Sequence, residues 1–480
     1  MMPNRVTTLP EDILFSVLRW CDVASVISTC RTLREASRET HVWRALIREL
    51  QSNWVLESSI PNLGELSLDQ LINLVKRAVQ GPDSWNRTDA SEWLTPVVSK
   101  TFQIGANIPS GPGILTWEND ARLVPNGKFV LFMKWGTLES YDVAKNKLVW
   151  TYISPVQALL PPQHYCAVRD FAFGKHPDKG GDWLVVMIGE RTYPPHASGL
   201  SRQNYMTILE LDPSSGNHAP LLVTRTPSTS FDNPFSRLSV DGDFAIADCG
   251  PGNLLVDWRA GRYLWFKQSE VYRWRITVVL RRALIVAVGQ HATELWVVPI
   301  IDTFEKCGRP ITELEHDEGT STLPSALRRS AARTVAHTFT PSGSSKNDVE
   351  ISLHQSPLSP DIWRLWVYTV GDNQKSASDL GSNESKLTHV LCRCKIDGST
   401  GEIKNVSSAP SESLYVRAPN GLSYSGHAQI FDAYGRRWQL IVPPPSPERY
   451  IFGIRHRNKN GDPLKLTRTG SRGKLERRSV

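Results

Sequence analysis

Two hydrophobic periods divide the chain. Up to about residue 80, apolar side chains recur at three- and four-residue intervals. Farther on they alternate, or run in short blocks broken by Gly, Asp, Asn and Pro. Thr8-Leu9-Pro10-Glu11 has the form of a capping box, with Thr8 as N-cap and Pro10 in the first turn, where a missing N–H costs little. Leu9, Ile13 and Val17, flanked by Leu14 and Leu18, then predict a first amphipathic helix. Asp22 caps a second, with Val23, Val26, Ile27, Cys30 and Leu33 on one face. Val42, Trp43, Leu46, Ile47 and Leu50 define a third. Ser67-Leu68-Asp69-Gln70 opens a fourth, with Leu68, Leu71, Ile72, Val75 and Val79 in one stripe and Gly81-Pro82 at its end. The first three are too short to bury all this surface among themselves. The excess must meet either the rest of this chain or another protein.

From about residue 97 the pattern predicts antiparallel strands. Two 25-residue segments, starting at Asn126 and Asp241, align without a gap. Gly127 matches Gly242, Phe129 matches Phe244, Asp142 matches Asp257 and Trp150 matches Trp265; upstream, Arg122-Leu123 matches Arg237-Leu238. Each reads as strand, turn, strand, Asp-headed turn, strand. Looser copies follow Trp183, Ala283, Ile362 and Ser423. Repeated antiparallel units of this size predict a β-propeller of six or seven blades, whose closure protects sheet edges. Two β-sandwiches with similar hairpins are the alternative, and the gapless repeat favours the propeller. The region is similar to degenerate WD-repeat propellers, although the Gly-His and Trp-Asp signatures are irregular.

The front of the chain carries a second resemblance. Leu9-Pro10-Glu11-Asp12-Ile13-Leu14, Val17-Leu18, Cys30-Arg31 and Val42-Trp43-Arg44 occur in the order found in F-box proteins, with the fungal type closest in its linker helix and following aromatics, Trp85 and Trp93. The resemblance implies a three-helix module that docks on the adaptor subunit of Skp–cullin–F-box (SCF) ubiquitin ligases and, through it, on cullin. Leu9, Pro10, Ile13, Leu14, Val17, Leu18, Val26, Ile27, Cys30 and Arg31 would lie at or near that contact, with Trp43 anchoring the third helix. Asp22-Val23 precedes Cys30-Arg31 by about one turn less than in the family, which rotates the second helix's remaining face by about 300°.

The expected organisation is therefore α+β and multidomain: an F-box module over 5–50, a helical linker over 51–96, a propeller-like domain over 97–452 and a tail over 453–480. Polar stretches at 308–348 and 371–386 read as inserted loops, either a seat of binding specificity on one propeller face or simply tolerated surface loops. The chain's net charge is +7, and residues 455–480, with nine basic and two acidic side chains, hold all of it. The tail is expected to be solvated and disordered. It lacks interleaved aromatics beyond Tyr450 and Phe452, so nucleic acid is not the expected partner.

Candidate chemistry is sparse. The sequence contains no phosphate-binding loop, His-Glu-x-x-His, nucleophile elbow or paired Cys-x-x-Cys. His389 with Cys392 and Cys394 is the nearest approach to a metal cluster, and small core cysteines are the simpler reading. No catalytic residue, metal or cofactor is expected. Seven scattered cysteines, an expected lack of a leader and no long apolar run lead to the expectation of a reducing compartment, cytoplasm or nucleus, off the membrane. The expected function is substrate recruitment to an SCF-type ligase, with an unknown protein substrate on the propeller. A scaffold working outside the ligase is the alternative.

Overall fold

The structure, a computed structural model, describes residues 39–52, 56, 60, 62–80, 120–124, 127–134, 136–194, 202–227, 234–249, 252–267, 272–279, 282–289, 293–317, 349–356, 359–372, 387–397, 403–412, 428–431, 438–441, 465–469 and 474–478. Leu9, Pro10, Ile13, Leu14, Val17, Leu18, Val26, Ile27, Cys30 and Arg31, and with them the first two expected helices, lie outside these residues.

The third expected helix is α1 (Thr40–Ser52) and the fourth is α2 (Leu68–Gln80). Trp43, Ile47 and Leu50 of α1 pack with Leu71 and Val75 of α2 in one buried cluster. The apolar face of α1 is thus met by the linker helix. The second capping box forms as the sequence implies: the Gln70 amide donates to Ser67 Oγ at 3.3 Å, and the Ser67 amide donates to Gln70 Oε1 at 2.8 Å.

The body is antiparallel and propeller-like. Sheet I is the meander β1 (Asp120–Leu123), β2 (Phe129–Lys134), β3 (Thr137–Asp142) and β4 (Lys147–Thr151). Sheet II is β5 (Tyr165–Lys175), β6 (Leu184–Tyr193), β7 (Asn204–Leu211) and β8 (His218–Thr226). Sheet III is β9 (Ser236–Asp241), β10 (Phe244–Asp248), β11 (Gly252–Asp257) and β12 (Arg262–Lys267). A three-stranded sheet IV follows: β13 (Tyr272–Val279), β14 (Arg282–Gly289) and β15 (Thr293–Pro299). After α3 (Ile300–Cys307), the short β16 (Arg309–Pro310) returns to the edge of β12 as a fifth strand of sheet III. Sheet V comprises β17 (Val349–Ser356), β18 (Ser359–Asp372), β19 (Leu387–Asp397) and β20 (Ile403–Glu412). Two hairpins complete the strands, β21 (Ala428–Phe431) with β22 (Trp438–Ile441) and β23 (Lys465–Thr469) with β24 (Lys474–Arg478). Of the six or seven blades expected from the repeat, the described residues give four of at least four strands, with the three-stranded sheet IV and the two hairpins beside them.

First strands of successive sheets lie side by side, β5 against β9, β9 against β13 and β13 against β17. Sheet II shows why this stacking follows from sequence. Leu184, Val186 and Ile188 of β6 enter the core shared with sheet I, while Val185 and Met187 enter the core shared with sheet III. Successive strand residues point to opposite faces, so a continuous apolar run suits a strand buried on both sides.

The gapless repeat is real in register. Phe129 pairs with Asp142 as Phe244 pairs with Asp257, and Asp142 pairs with Lys147 as Asp257 pairs with Arg262. Each Asp heads its turn, accepting an amide three residues on, from Lys145 at 2.9 Å and Ala260 at 2.8 Å. The left-handed position closing each turn is Asn146 in one copy and Gly261 in the other. Two features depart from the alignment. A bulge at Val149 puts Trp150 opposite Ser140, one position away from where Trp265 faces Leu254. Upstream, Leu123 pairs with Val130 but Val240, not Leu238, pairs with Ala245, a two-residue shift that preserves the alternation of side chains between the faces.

The polar stretch at 308–348 also departs from expectation at its start. Residues 309–317 wrap the outer edges of sheets II and III, with Leu314 fully buried in their shared core and Arg225 of β8 bonded to Glu315 at 2.7 Å. Ile311 and Leu314 lie three apart within a polar run, and this spacing supplies the inward face. The rest of that stretch, and 373–386 of the second, lie outside the described residues. The cationic tail carries the β23–β24 hairpin where charge alone suggested disorder.

Candidate functional site

Strand direction gives the propeller two faces. On the upper face the first strand of each blade begins; on the lower face it ends. Among the described residues, lower-face charges of sheets I to III pair with one another. Lys128 bridges to Asp182 at 2.9 Å, Arg259 to Asp178 at 2.5 Å and to Asp243 at 3.0 Å, and Lys179 to Glu210 at 2.6 Å. His176 lies 3.4 Å from Glu210, and burial lowers its pKa despite that carboxylate. The Lys175 ammonium on this face donates to the Ser52 carbonyl at 2.6 Å, tying the end of α1 to β5.

The upper face is different. Residues 152–164, joining β4 to β5, form a closed loop with no Asp, Glu, Lys or Arg. Val156 plugs it into the core with no exposed surface. Gln157 clamps it, its amide NH2 donating to the His164 carbonyl at 2.9 Å and its amide oxygen accepting from the Cys166 amide at 2.7 Å. The hydroxyl of Ser154 accepts the Val156 amide, and a 3₁₀ turn covers Gln157–Leu159. This frame holds Ile153 and Leu159 out in solvent, 78% and 79% exposed. At the loop's end Tyr165 stacks on Tyr193, ring centroids 5.0 Å apart and planes within 12°. The Arg202 guanidinium lies over the Tyr193 ring, 5.5 Å from its centroid. Burial raises the pKa of both phenols, and the cations of Arg169 and Arg202 oppose this in each.

Beneath the loop sits Glu190 of β6, with no exposed surface. Its carboxylate accepts from the Tyr152 hydroxyl at 2.9 Å, the Thr207 hydroxyl at 2.8 Å and the Cys166 thiol at 3.5 Å, and from the Ser154 hydroxyl. Burial raises its pKa above the ordinary carboxylate value, and the four donors oppose this. Burial also raises the Cys166 and Tyr152 pKa values, with Glu190 adding to both. A thiol held protonated is a poor nucleophile. The network therefore braces the loop, joining sheet I through Tyr152 to sheet II through Glu190 and Thr207.

Of the residues singled out in the sequence, Trp43 is in the α1–α2 core, at 4% exposure, rather than on a surface. Cys394 is buried on β19, and His389 and Cys392 lie on the same strand. Among the described residues no group of three metal-ligating side chains converges. No helix among them is long and apolar enough to cross a membrane. Sequence reasoning sought specificity in the polar insertions and missed the 152–164 loop. The available signal was the apolar Leu159-Leu160 followed by Pro161-Pro162, a pattern unsuited to a strand.

No protein-family model matches the chain, and no curated protein matches it. Among solved structures, the WD40 domain of SCAP from fission yeast is 13% identical, over 65% of this chain and 81% of that one, at a TM-score of 0.24. The AfRom2 CNH domain is 10% identical, over 62% of this chain and 74% of that one, at a TM-score of 0.25. Likenesses this slight add no weight to the fold, which rests on the sheet order and register.

Proposed function

We propose that this chain is a non-catalytic interaction platform, and that it recruits a protein substrate to an SCF-type ubiquitin ligase. The observation that carries the platform reading is the braced upper-face loop, which holds two large aliphatic side chains in solvent beside a tyrosine stack. The ligase reading is supported by the F-box-like order of Leu9-Pro10, Cys30-Arg31 and Trp43. In this reading other subunits transfer ubiquitin, and the chain acts by raising the substrate's effective concentration at the transfer site. It would work in the cytoplasm, the nucleus or both.

The test is direct binding of the purified full-length chain to the purified SCF adaptor subunit. Micromolar or tighter association is expected, and combined Leu9→Ala and Pro10→Ala substitution is expected to abolish it. An intact chain that does not bind the adaptor at about 10 μM would leave the second reading, a scaffold outside the ligase. The about 300° rotation implied by the short second helix favours that alternative.

A further inference from the structure

We propose that the turn between β5 and β6 is an acid-released latch: a proton taken up by His176 opens the turn and loosens the bridges it holds to sheets I and III. The inference concerns the lower face and is independent of the ligase reading.

The turn, residues 176–183, is built around one imidazole nitrogen. The His176 amide donates to the Trp183 carbonyl at 3.0 Å and closes the hairpin. Inside it, His176 Nδ1 accepts two backbone amides, from Asp178 at 3.2 Å and from Lys179 at 3.1 Å. A ring nitrogen that accepts carries no proton, so this network assigns a neutral imidazole with its one N–H on Nε2. That nitrogen faces Glu210 Oε2 of β7 at 3.4 Å, and the side chain is 5% exposed. The site left for a further proton is Nδ1, where it would point at two N–H donors. Both hydrogen bonds would be lost together.

The charges around the ring leave this conflict in place. Burial, the largest influence, and the cations of Lys179 and Arg259 hold the His176 pKa below its ordinary 6.5, against the carboxylates of Glu210 and Asp178. The bridges leave from the same turn. Asp178, whose amide is one of the two donors, holds Arg259 of sheet III at 2.5 Å, and Asp182 holds Lys128 of sheet I at 2.9 Å. Lys179, whose amide is the other donor, reaches Glu210 at 2.6 Å with its ammonium 3.8 Å from the Trp183 ring centroid. These positions depend on an unprotonated Nδ1. The folded chain therefore binds the His176 proton less tightly than the unfolded chain does. The stability the latch contributes is complete above 6.5 and is lost as pH falls below it towards the folded value.

The experiment measures hydrogen–deuterium exchange of the full-length chain at about pH 7.5 and about pH 5.5, corrected for intrinsic exchange. In peptides covering 176–183 the wild type is expected to lose about tenfold or more of its protection at the lower pH, while β6 stays protected. His176→Asn offers the two amides an oxygen bonded, like Nδ1, to Cγ, and that oxygen takes up no proton. This variant is expected to stay protected at both pH values, and His176→Ala, with no acceptor, to be unprotected at both. Wild-type exchange needs no variant, and NMR of the histidine rings reads the titration directly, with a His176 midpoint below 6.5 expected. Unchanged wild-type protection, the same acid loss in His176→Asn, full protection in His176→Ala, or a midpoint at or above 6.5 would overturn the proposal.

Discussion

Gly189 and Glu190, adjacent on β6, serve opposite faces of the strand, the first towards sheet III and the second towards sheet I. A Cβ on Gly189 would lie 2.5 Å from the Phe235 ring, so glycine here lets a fully buried phenylalanine close against the strand. Gly189→Ala is expected to cost about 1–3 kcal/mol in urea unfolding, because the ring must shift within a filled core. Glu190 is a carboxyl whose folded pKa lies above its ordinary 4.5. The folded protein therefore binds this proton more tightly than the unfolded chain. The stability it contributes is full below 4.5 and is lost as pH rises through the folded value. Glu190→Gln removes that term. Between about pH 4 and about pH 7 the wild type should lose stability relative to the variant, and parallel pH curves would contradict this assignment.

At the scale of elements, local signals were the most legible. The Ser67–Gln70 box closes in both directions, and Ser67→Ala is expected to cost about 1 kcal/mol, seen as faster amide exchange in the first turn of α2. The Asp-headed turns at Asp142 and Asp257 form as their sequences imply, because an Asx turn needs only its own few residues. The Val149 bulge left no comparable mark. It sits where the carbonyl of Val149 approaches Gly216, a residue of the next sheet, at 2.8 Å from where a Cβ would be. The 309–317 clasp was also hidden, since Leu314 lies among polar neighbours and its burial depends on the edges of two distant sheets. Leu314→Ala is expected to cost about 2–5 kcal/mol by leaving a cavity between them, measured by chemical denaturation.

Across the whole molecule, the first strands of three sheets are tied at Arg122. Its guanidinium reaches the Phe171 carbonyl and, at 2.9 Å, the Asp170 carboxylate, whose other oxygen accepts the Leu238 amide at 3.5 Å. Arg122→Ala would deprive the mostly buried Asp170 of this cation, at an expected cost of about 1.5–3 kcal/mol in thermal or urea unfolding. The same architecture separates the exposed upper-face loop from α1. Tyr165 and Lys175 stand at opposite ends of β5, about 33 Å apart along the strand. The 152–164 loop is at one end and the Ser52 contact of α1 at the other.

By itself the sequence determined the helical period of α1 and α2, the strand period of the body, the repeated hairpin at Phe129 and Phe244, and the caps and turns that depend on neighbours a few residues away. It also carries the F-box-like order at Leu9-Pro10 and Cys30-Arg31, on which the ligase proposal stands. Only the tertiary structure decided that α1 packs on α2, that residues 309–317 clasp two sheets, that four blades of at least four strands form among the described residues, and that the exposed loop lies opposite α1. The reason is physical. Periodicity and capping are written in contacts between residues a few positions apart. A bulge, a clasp or an exposed loop is settled by what stands against it, and those partners lie tens of residues away along the chain.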